Sequence, residues 1–507
     1  MRTKNIFNPK RLLLLTLMGV VGMTGCKKFL DINQNPNNPD SADPSLLLPT
    51  VQASAGQIVG NAFQVYGNMW AQYWTQSPSS SQYKTIDQYN LTNTSFDRPW
   101  LTLYRNGLIN ADLIIKNPGS GLEFTKGIAY IMKAYTYQLT TDAFGDVPLS
   151  QALQGNGFGS PKYDKQELVY DSIFNYIDRG KVLLAINSVD PGAQDLVFGG
   201  RKTDPAVSTP TNIIFYWTEF ANTLKLRAYL RLAGVNPAKA EAGVKALYAS
   251  GAKFLTIDAA IKYSTVGGNQ NPMYNEMVAL GVQNVVASST AFNAFKNNND
   301  PRLGKFYEML PNQSALNSIK QGSYASESST IVSYPSGLVG ANWTNASSAT
   351  APVKLISAAE SYFLQAEAVA RGWASGDFIA LAKSGVTASF VATGLSAGDA
   401  TTYFTNAQDG QVAFDAASTV ELKVKAIITQ KYYAMCGFQG FESWNEYRRT
   451  GYPNFLIRSV ASTIGAGRLP LRMLYPNSEA TSNLNFPGNV PIYTPVWWGK
   501  TTITPAP

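Results

Sequence analysis

The sequence predicts a mainly α-helical protein with a large irregular part, and three observations carry that expectation. Apolar residues recur at spacings of three and four through much of 44–250 and again over 357–450, as in helices that bury one face. Sustained alternation of apolar and polar residues, the mark of half-buried strands, is scarce. Between the two helical regions, 251–355 is dominated by Gly, Asn, Ser and Pro, with only short stripes. Structureless stretches of this length inside a compact protein are usually functional loops.

The chain begins with a cationic leader, Arg2, Lys4, Lys10 and Arg11, followed by the apolar run Leu12–Val21 and then Gly22-Met23-Thr24-Gly25-Cys26. That run is about ten residues, and a membrane span needs roughly 20, so 1–25 reads as an export signal peptide. Gly25-Cys26 resembles the lipobox of bacterial lipoproteins, with Met23 where Leu is usual. The resemblance implies acylation of Cys26 and a lipid anchor. Residues 26–43, rich in Asn and Pro, read as an extended tether. Asp31-x-Asn33-x-Asn35 fails as a calcium loop, because Pro36 and Ala42 stand where Gly and Glu are needed.

The body, 44–507, then unfolds helix by helix. Stripes run over Leu46–Trp74, Trp100–Lys116, Thr125–Asp142, Lys165–Ile186, Asn212–Ala233 and, more weakly, Pro237–Ser250. Helices resume at Ser357, where Ala359, Tyr362, Phe363, Ala366 and Ala370 precede Gly372 and a second stripe of Phe378, Leu381, Ala388 and Phe390. This pair resembles a tetratricopeptide hairpin of about 34 residues. The stripes at 100–116 and 125–142 are a weaker candidate pair. Another helix covers 420–436, and the proline-rich 451–507 reads as irregular.

Composition excludes several classes of function. The formal charge is +8, but four of the 41 basic residues lie in the leader, which leaves +4 with no basic cluster and argues against nucleic acid. Charged residues are only 15%, and Asn, Ser, Thr and Gln fill the gap, a surface suited to neutral polar ligands. There is no histidine, which removes the commonest general base and metal ligand. No metal or cofactor is implied. With Cys26 acylated, Cys436 has no partner, and it reads as a small buried hydrophobe. There is no Gly-x-Ser-x-Gly elbow, and Ser81-x-x-Lys84 lacks the motifs that accompany it in penicillin-binding proteins. A pair of acids for glycoside hydrolysis needs only the right separation, so a lipid-anchored hydrolase stays open as an alternative.

Several segments together resemble the SusD/RagB-type lipoproteins. They are Cys26-Lys27-Lys28-Phe29-Leu30-Asp31 with Asn35-Pro36-Asn37-Asn38-Pro39; Trp217-x-x-Phe220-Ala221-Asn222-x-Leu224-Lys225-Leu226-Arg227; Asn298-Asn299-Asp300-Pro301-Arg302-Leu303; and Ala358-Ala359-Glu360 with Ala366-Glu367-Ala368. The most specific is Phe441-Glu442-Ser443-Trp444-Asn445-Glu446-Tyr447-Arg448-Arg449-Thr450-Gly451-Tyr452-Pro453, followed by Leu469-Pro470-Leu471-Arg472, Tyr475-Pro476-x-x-Glu479 and Trp497-Trp498. The resemblance implies a tetratricopeptide-like helix-pair scaffold under an irregular, ligand-facing part. It also implies a lipid-anchored outer-membrane protein, facing the cell exterior, that hands a ligand to a SusC-type TonB-dependent transporter. Known members bind glycans or, in the RagB-like branch, peptides, and both ligand classes stay open.

Ligand contacts are sought among loop aromatics, since a ring face stacks on a sugar while amides bond its hydroxyls. Trp343 lies in a polar, Gly- and Asn-flanked loop, and Tyr83 and Tyr89 share a Ser/Gln/Asn-rich one. Tyr274 and Tyr334 punctuate the central region. These five are the candidate binding residues, and no catalytic residue is expected. Trp70, Trp74 and Trp100 read as core. Arg448-Arg449 reads as structural, because Glu442 and Glu446 precede them at helical spacing. Lys225, Arg227 and Arg231 read as a polar helix face.

Overall fold

In the computed structural model the described residues are 43–507, apart from 187, 200–209, 312, 328–330 and 407–411. The leader, Cys26 and the tether through Ala42 lie outside them. Helix α1 (Pro44–Gln57) passes through a π-helical turn (Ile58–Ala62) into α2 (Phe63–Trp70). A short strand, β1 (Trp74–Gln76), and a one-turn helix, α3 (Lys84–Asp87), follow. Helix α4 (Asp97–Leu101) continues through a second π turn (Thr102–Leu108) into α5 (Ile109–Lys116). Four helix hairpins then make the scaffold. They are α6 (Glu123–Phe144) with α7 (Gln166–Leu184), α8 (Pro210–Arg231) with α9 (Pro237–Ala249), α13 (Ala358–Ala370) with α14 (Phe378–Ala392), and α16 (Val420–Met435) with α17 (Gly440–Thr450). This is the expected mainly α, helix-pair architecture. The 100–116 and 125–142 stripes do pack together, but α6 packs most extensively on α7.

Local chemistry sets the helix ends. Asn236 caps α9 through Lys239 N–H, with Pro237 at the first helical position. Ser357 caps α13 and Asp377 caps α14 in the same way. Gly451, at φ +79°, stops α17 in the left-handed conformation that glycine adopts without strain.

β2 (Val147–Pro148) pairs with β3 (Tyr163–Asp164) between α6 and α7, and α15 (Ala397–Thr405) follows α14. The central region is irregular but held to the scaffold by short antiparallel pairs. β4 (Ala259–Ile261) pairs with β8 (Val353–Ile356), and β5 (Val285–Ala287) pairs with β1, Gln76 opposite Val285. Between them lie α10 (Pro272–Leu280), α11 (Ser289–Asn297), α12 (Leu303–Phe306) and the pair β6 (Tyr307–Glu308) and β7 (Tyr334–Pro335). The whole of Pro44–Pro507 is one compact unit.

At its centre α17 is buried at every residue, although its sequence is strongly polar. Ion pairs account for this. Arg231 reaches Glu442 at 2.6 Å, Glu446 at 3.0 Å and Asp142 at 3.4 Å. Arg449 grips Glu367 through both terminal nitrogens, at 2.8 and 2.7 Å, and also bonds Glu446. Lys431 lies 3.4 Å from Glu446 and 3.7 Å from Glu360, and Arg227 bonds Gln138 and Glu360. Burial alone would push Glu442 and Glu446 up, but Arg231, Arg227 and Lys431 hold Glu442, and Arg449, Lys431 and Arg231 hold Glu446, below the usual carboxylate range. So the Arg449–Glu446 pairing expected from helical spacing is present. Arg448 instead bonds Asn445 and the carbonyls of Asp142 and Leu471, its guanidinium 3.6 Å above the Trp444 ring. The expected polar face of α8 is corrected: Arg227 and Arg231 point into this interior, and Lys225, half-buried, pairs with exposed Asp178. Close backbone approach completes the crossing of α2 and α17. A Cβ on Gly67 would lie 2.1 Å from Phe441 N, so only glycine fits. Trp70, Trp74, Trp100 and Cys436 are core.

Candidate functional site

Helix α10 is the hub. Asn271 caps it, its Oδ1 accepting from Met273 N–H (2.9 Å) and Tyr274 N–H (3.1 Å), while its amide donates to Ala351 O (2.8 Å). Its N–H also reaches Ala349 O at 2.8 Å, so the helix start is fixed to the turn that leads into β8. Tyr274 is half-buried on the first turn.

Glu276, one turn on, accepts from the Tyr83 hydroxyl and from Asn61 Nδ2 (2.5 Å). Asn61 sits in the first π turn; such turns interrupt the regular ladder and are frequent at functional sites. Burial, then the neighbouring Glu276 charge, push the Tyr83 phenol well up, so it stays a donor. These groups share a cavity of about 290 Å³ with Tyr66, Gln82, Ser95 and Arg98.

The loop carrying Tyr83 is seated on the residues that follow α10. Ser77 N–H donates to Asn284 O (2.9 Å), Ser80 Oγ to Gln283 O (3.3 Å), and Gln82 N–H to Asn284 Oδ1 (3.3 Å). Gln76 Oε1 accepts from Tyr83 N–H at 2.7 Å. Below it, buried Asp87 accepts from Thr75 Oγ1 and Gln76 N–H, each at 2.7 Å, and from Gln321 Nε2. No cation among the described residues pairs with Asp87; burial pushes its carboxyl up to about 6, against those three donors.

Trp343 arrives at the same place from another direction. Its N–H donates to Gln283 Oε1 (3.4 Å), whose amide donates to Val285 O and Ala341 O. Its loop is stapled by Glu308, which accepts from Gly337 N–H (2.8 Å), Asn342 Nδ2 (2.8 Å) and Asn345 Nδ2 (2.9 Å). Tyr334 pairs with Glu308 across β6 and β7 and is half-buried. The fold thus ties Tyr83, Tyr274 and Trp343 to one short helix and its exit, with Tyr334 one strand pair away.

Two expectations change. Tyr89 has positive φ, is 2% exposed, and its hydroxyl accepts from Ser459 N–H (3.2 Å). Its ring belongs to the core and offers no face to a ligand. Tyr83 is 5% exposed, so although it lines the cavity it has little open ring face for stacking. Sequence reasoning missed Glu276, Asn61, Gln283 and Arg98. The Asn271-Pro272 start of α10 was a readable signal for the helix, whereas nothing local marked its partners.

Comparison with known proteins agrees with this architecture. The SusD-like family model described as "Starch-binding associating with outer membrane" matches residues 36–476. No protein with a curated description matches by sequence. Among solved structures, the chain resembles a chitin-binding SusD homologue from Flavobacterium johnsoniae. The TM-score is 0.73 at 24% identity, over 90% of this chain and 99% of that one. It likewise resembles a SusD homologue from Bacteroides uniformis (0.71, 24%, 90% and 100%) and a SusD/RagB family protein from Bacteroides thetaiotaomicron (0.70, 23%, 91% and 100%). No helix among the described residues is long and apolar enough to cross a membrane. With the family model spanning most of its length and these structures sharing its fold, the chain belongs to the SusD/RagB-like family.

Proposed function

We propose that this protein captures an oligomeric glycan at the α10 site without cleaving it and passes it to a SusC-type TonB-dependent transporter, anchored by acylated Cys26 at the outer face of the outer membrane. The observation that supports this reading is a cavity lined by Asn61, Gln82, Tyr83 and Glu276 of α10, with half-buried Tyr274 on the same helix and half-buried Trp343 bonded through its N–H to Gln283, just past the helix end. A half-buried ring on a stapled loop loses little freedom when a sugar stacks on it, and amides recognise hydroxyls without charge. Among the described residues Glu276 is the one carboxylate lining the cavity, and it is engaged by two donors. Glycoside hydrolysis takes two carboxylates. The chitin-binding description of one structural relative makes chito-oligosaccharides the first probe.

Arg98 and Glu276, opposite charges on one cavity, favour one second reading, capture of a peptide in the RagB-like manner. Calorimetric titration with chito- and malto-oligosaccharides and with short peptides decides between them. The expected result is micromolar to millimolar glycan binding, no product on prolonged incubation, and at least about 30-fold weaker binding in Trp343→Ala, the loss of an aromatic anchor worth ~2 kcal/mol. Unchanged affinity in both Trp343→Ala and Tyr274→Ala would place the site elsewhere, and ligand turnover would make the protein a hydrolase.

A further inference from the structure

A second cavity, of about 400 Å³, opens at the far end of β5 from the α10 site. One wall is a single face of α11: Ser289 and Thr290, Asn293 and Ala294, then Asn297. Opposite stand Phe455 and Ile457, Tyr433 lines it from α16, and Lys320 closes the rim. The two walls are held apart by one buried side chain. Gln72 Oε1 accepts from Thr290 Oγ1 (2.8 Å) on one side and from Ile457 N–H (3.1 Å) on the other, and its amide donates to Ile457 O. Gln72 is in the left-handed region, at φ +61°, a conformation that costs a non-glycine residue energy and persists where the surroundings enforce it. Residue 320 is fixed too, since Ile319 exchanges backbone hydrogen bonds with Ala287 and Ser289, and Gln321 bonds Asp87. The cavity is therefore built into the fold.

Its chemistry differs from that of the α10 site. Asn293, Asn297 and Lys320 are exposed, and no side chain among the described residues pairs with theirs. Phe455 is half-buried, its ring held edge-on 5.5 Å from that of Tyr432. Among the described residues no carboxylate lines the cavity, and the lysine is its one charge. Two amides one helical turn apart offer donors and acceptors for hydroxyls, an aromatic wall suits a ring face, and a lone ammonium suits a carboxylate. We infer that this cleft is a second binding site, selective for a sugar unit that bears a carboxylate, as in a uronic-acid-containing oligosaccharide. The inference extends the glycan-capture reading but stands on separate residues.

The test titrates purified protein with oligogalacturonates and, separately, with neutral chito- and malto-oligosaccharides, following Asn293 and Asn297 amide signals by NMR alongside calorimetry. Oligogalacturonate is expected to shift those amides in the wild type. Phe455→Ala and the double variant Asn293→Ala/Asn297→Ala should each weaken it at least ~10-fold. Lys320→Gln should remove the preference for the acidic over the neutral oligosaccharide, as should high salt, which screens an exposed pair. Trp343→Ala should leave this binding unchanged. Because Phe455 packs on Tyr432, its variant is checked by thermal unfolding; the surface asparagines and Lys320 carry the test if it fails to fold. Absence of oligogalacturonate binding in the wild type, its loss in Trp343→Ala, indifference to Lys320→Gln, or displacement by peptides alone would overturn the inference. Neutral-glycan binding lost only in Trp343→Ala would in that event leave the α10 reading standing.

Discussion

Replacing Arg231 with methionine tests whether the charged centre of the scaffold is a balanced network. Arg231 is 1% exposed and touches three carboxylates, at 2.6, 3.0 and 3.4 Å. Glu446 would retain Arg449 and Lys431, and Asp142 would retain donation from Tyr170 and Trp498. Glu442 would be left with Asn445 at 3.2 Å and Lys431 at 3.9 Å. Breaking a buried pair from one side costs about 3–5 kcal/mol, because a charge stays behind in a poorly solvating interior. The entropy of unfolding near Tm is about 2.1 cal/mol/K per residue, so a body of this size loses about 1 °C per kcal/mol, and Tm should fall by ~3–5 °C.

The pH dependence carries the diagnosis. In the wild type Glu442 is held below its ordinary range by Arg231, Arg227 and Lys431 against burial. That stability is present above the unfolded carboxylate range and is lost as pH falls through the folded pKa. In the variant, burial dominates and the folded pKa rises, so Arg231→Met gains stability relative to wild type as pH drops from 7.5 to 5. Adding Glu442→Gln should recover part of the loss at neutral pH. Calorimetric scans of the four proteins of this cycle provide the readout. A deficit under ~1 °C, or one that does not narrow at pH 5, refutes the reasoning.

Other expectations follow from the same structure. Gly67→Ala should destabilise by about 1–3 kcal/mol or more, because the clash is with backbone that cannot swing away; an unchanged urea midpoint would contradict the close α2–α17 crossing. Asp87, raised by burial from 3.8 to about 6, is the opposite of a salt-bridged acid. The folded state holds its proton more tightly, so this group costs stability increasingly as pH rises from about 4 to 6, by up to ~3 kcal/mol. Asp87→Asn should remove that slope in urea titrations between pH 4 and 7, and an identical slope would falsify the assignment. Cys26→Ala should release the protein from the membrane fraction and abolish labelling with fatty acid; retention of either would rule out the anchor.

The sequence by itself determined the scaffold helices and their order, while the short helices α10 and α11 inside the central region were not read from it. Helical periodicity and capping are local: the i,i+4 stripe of α6 and the Asn236-Pro237 cap of α9 depend only on neighbours in the chain. It also held a signal that went unread. Arg231 continues the stripe of Trp217, Phe220, Leu224 and Ala228 by three residues, which places it on the buried face of α8. Only the tertiary structure decided what makes that burial tolerable, because its partner Glu442 lies 211 residues away. The same holds for the candidate sites. Tyr83 and Tyr89 occupy one polar loop, yet one meets Glu276 beside a cavity and the other meets Ser459 in the core. Residue type and loop composition marked where aromatics lie. Which of them keeps contact with solvent depends on segments that arrive from hundreds of residues away, and that information is absent from any local window of the chain.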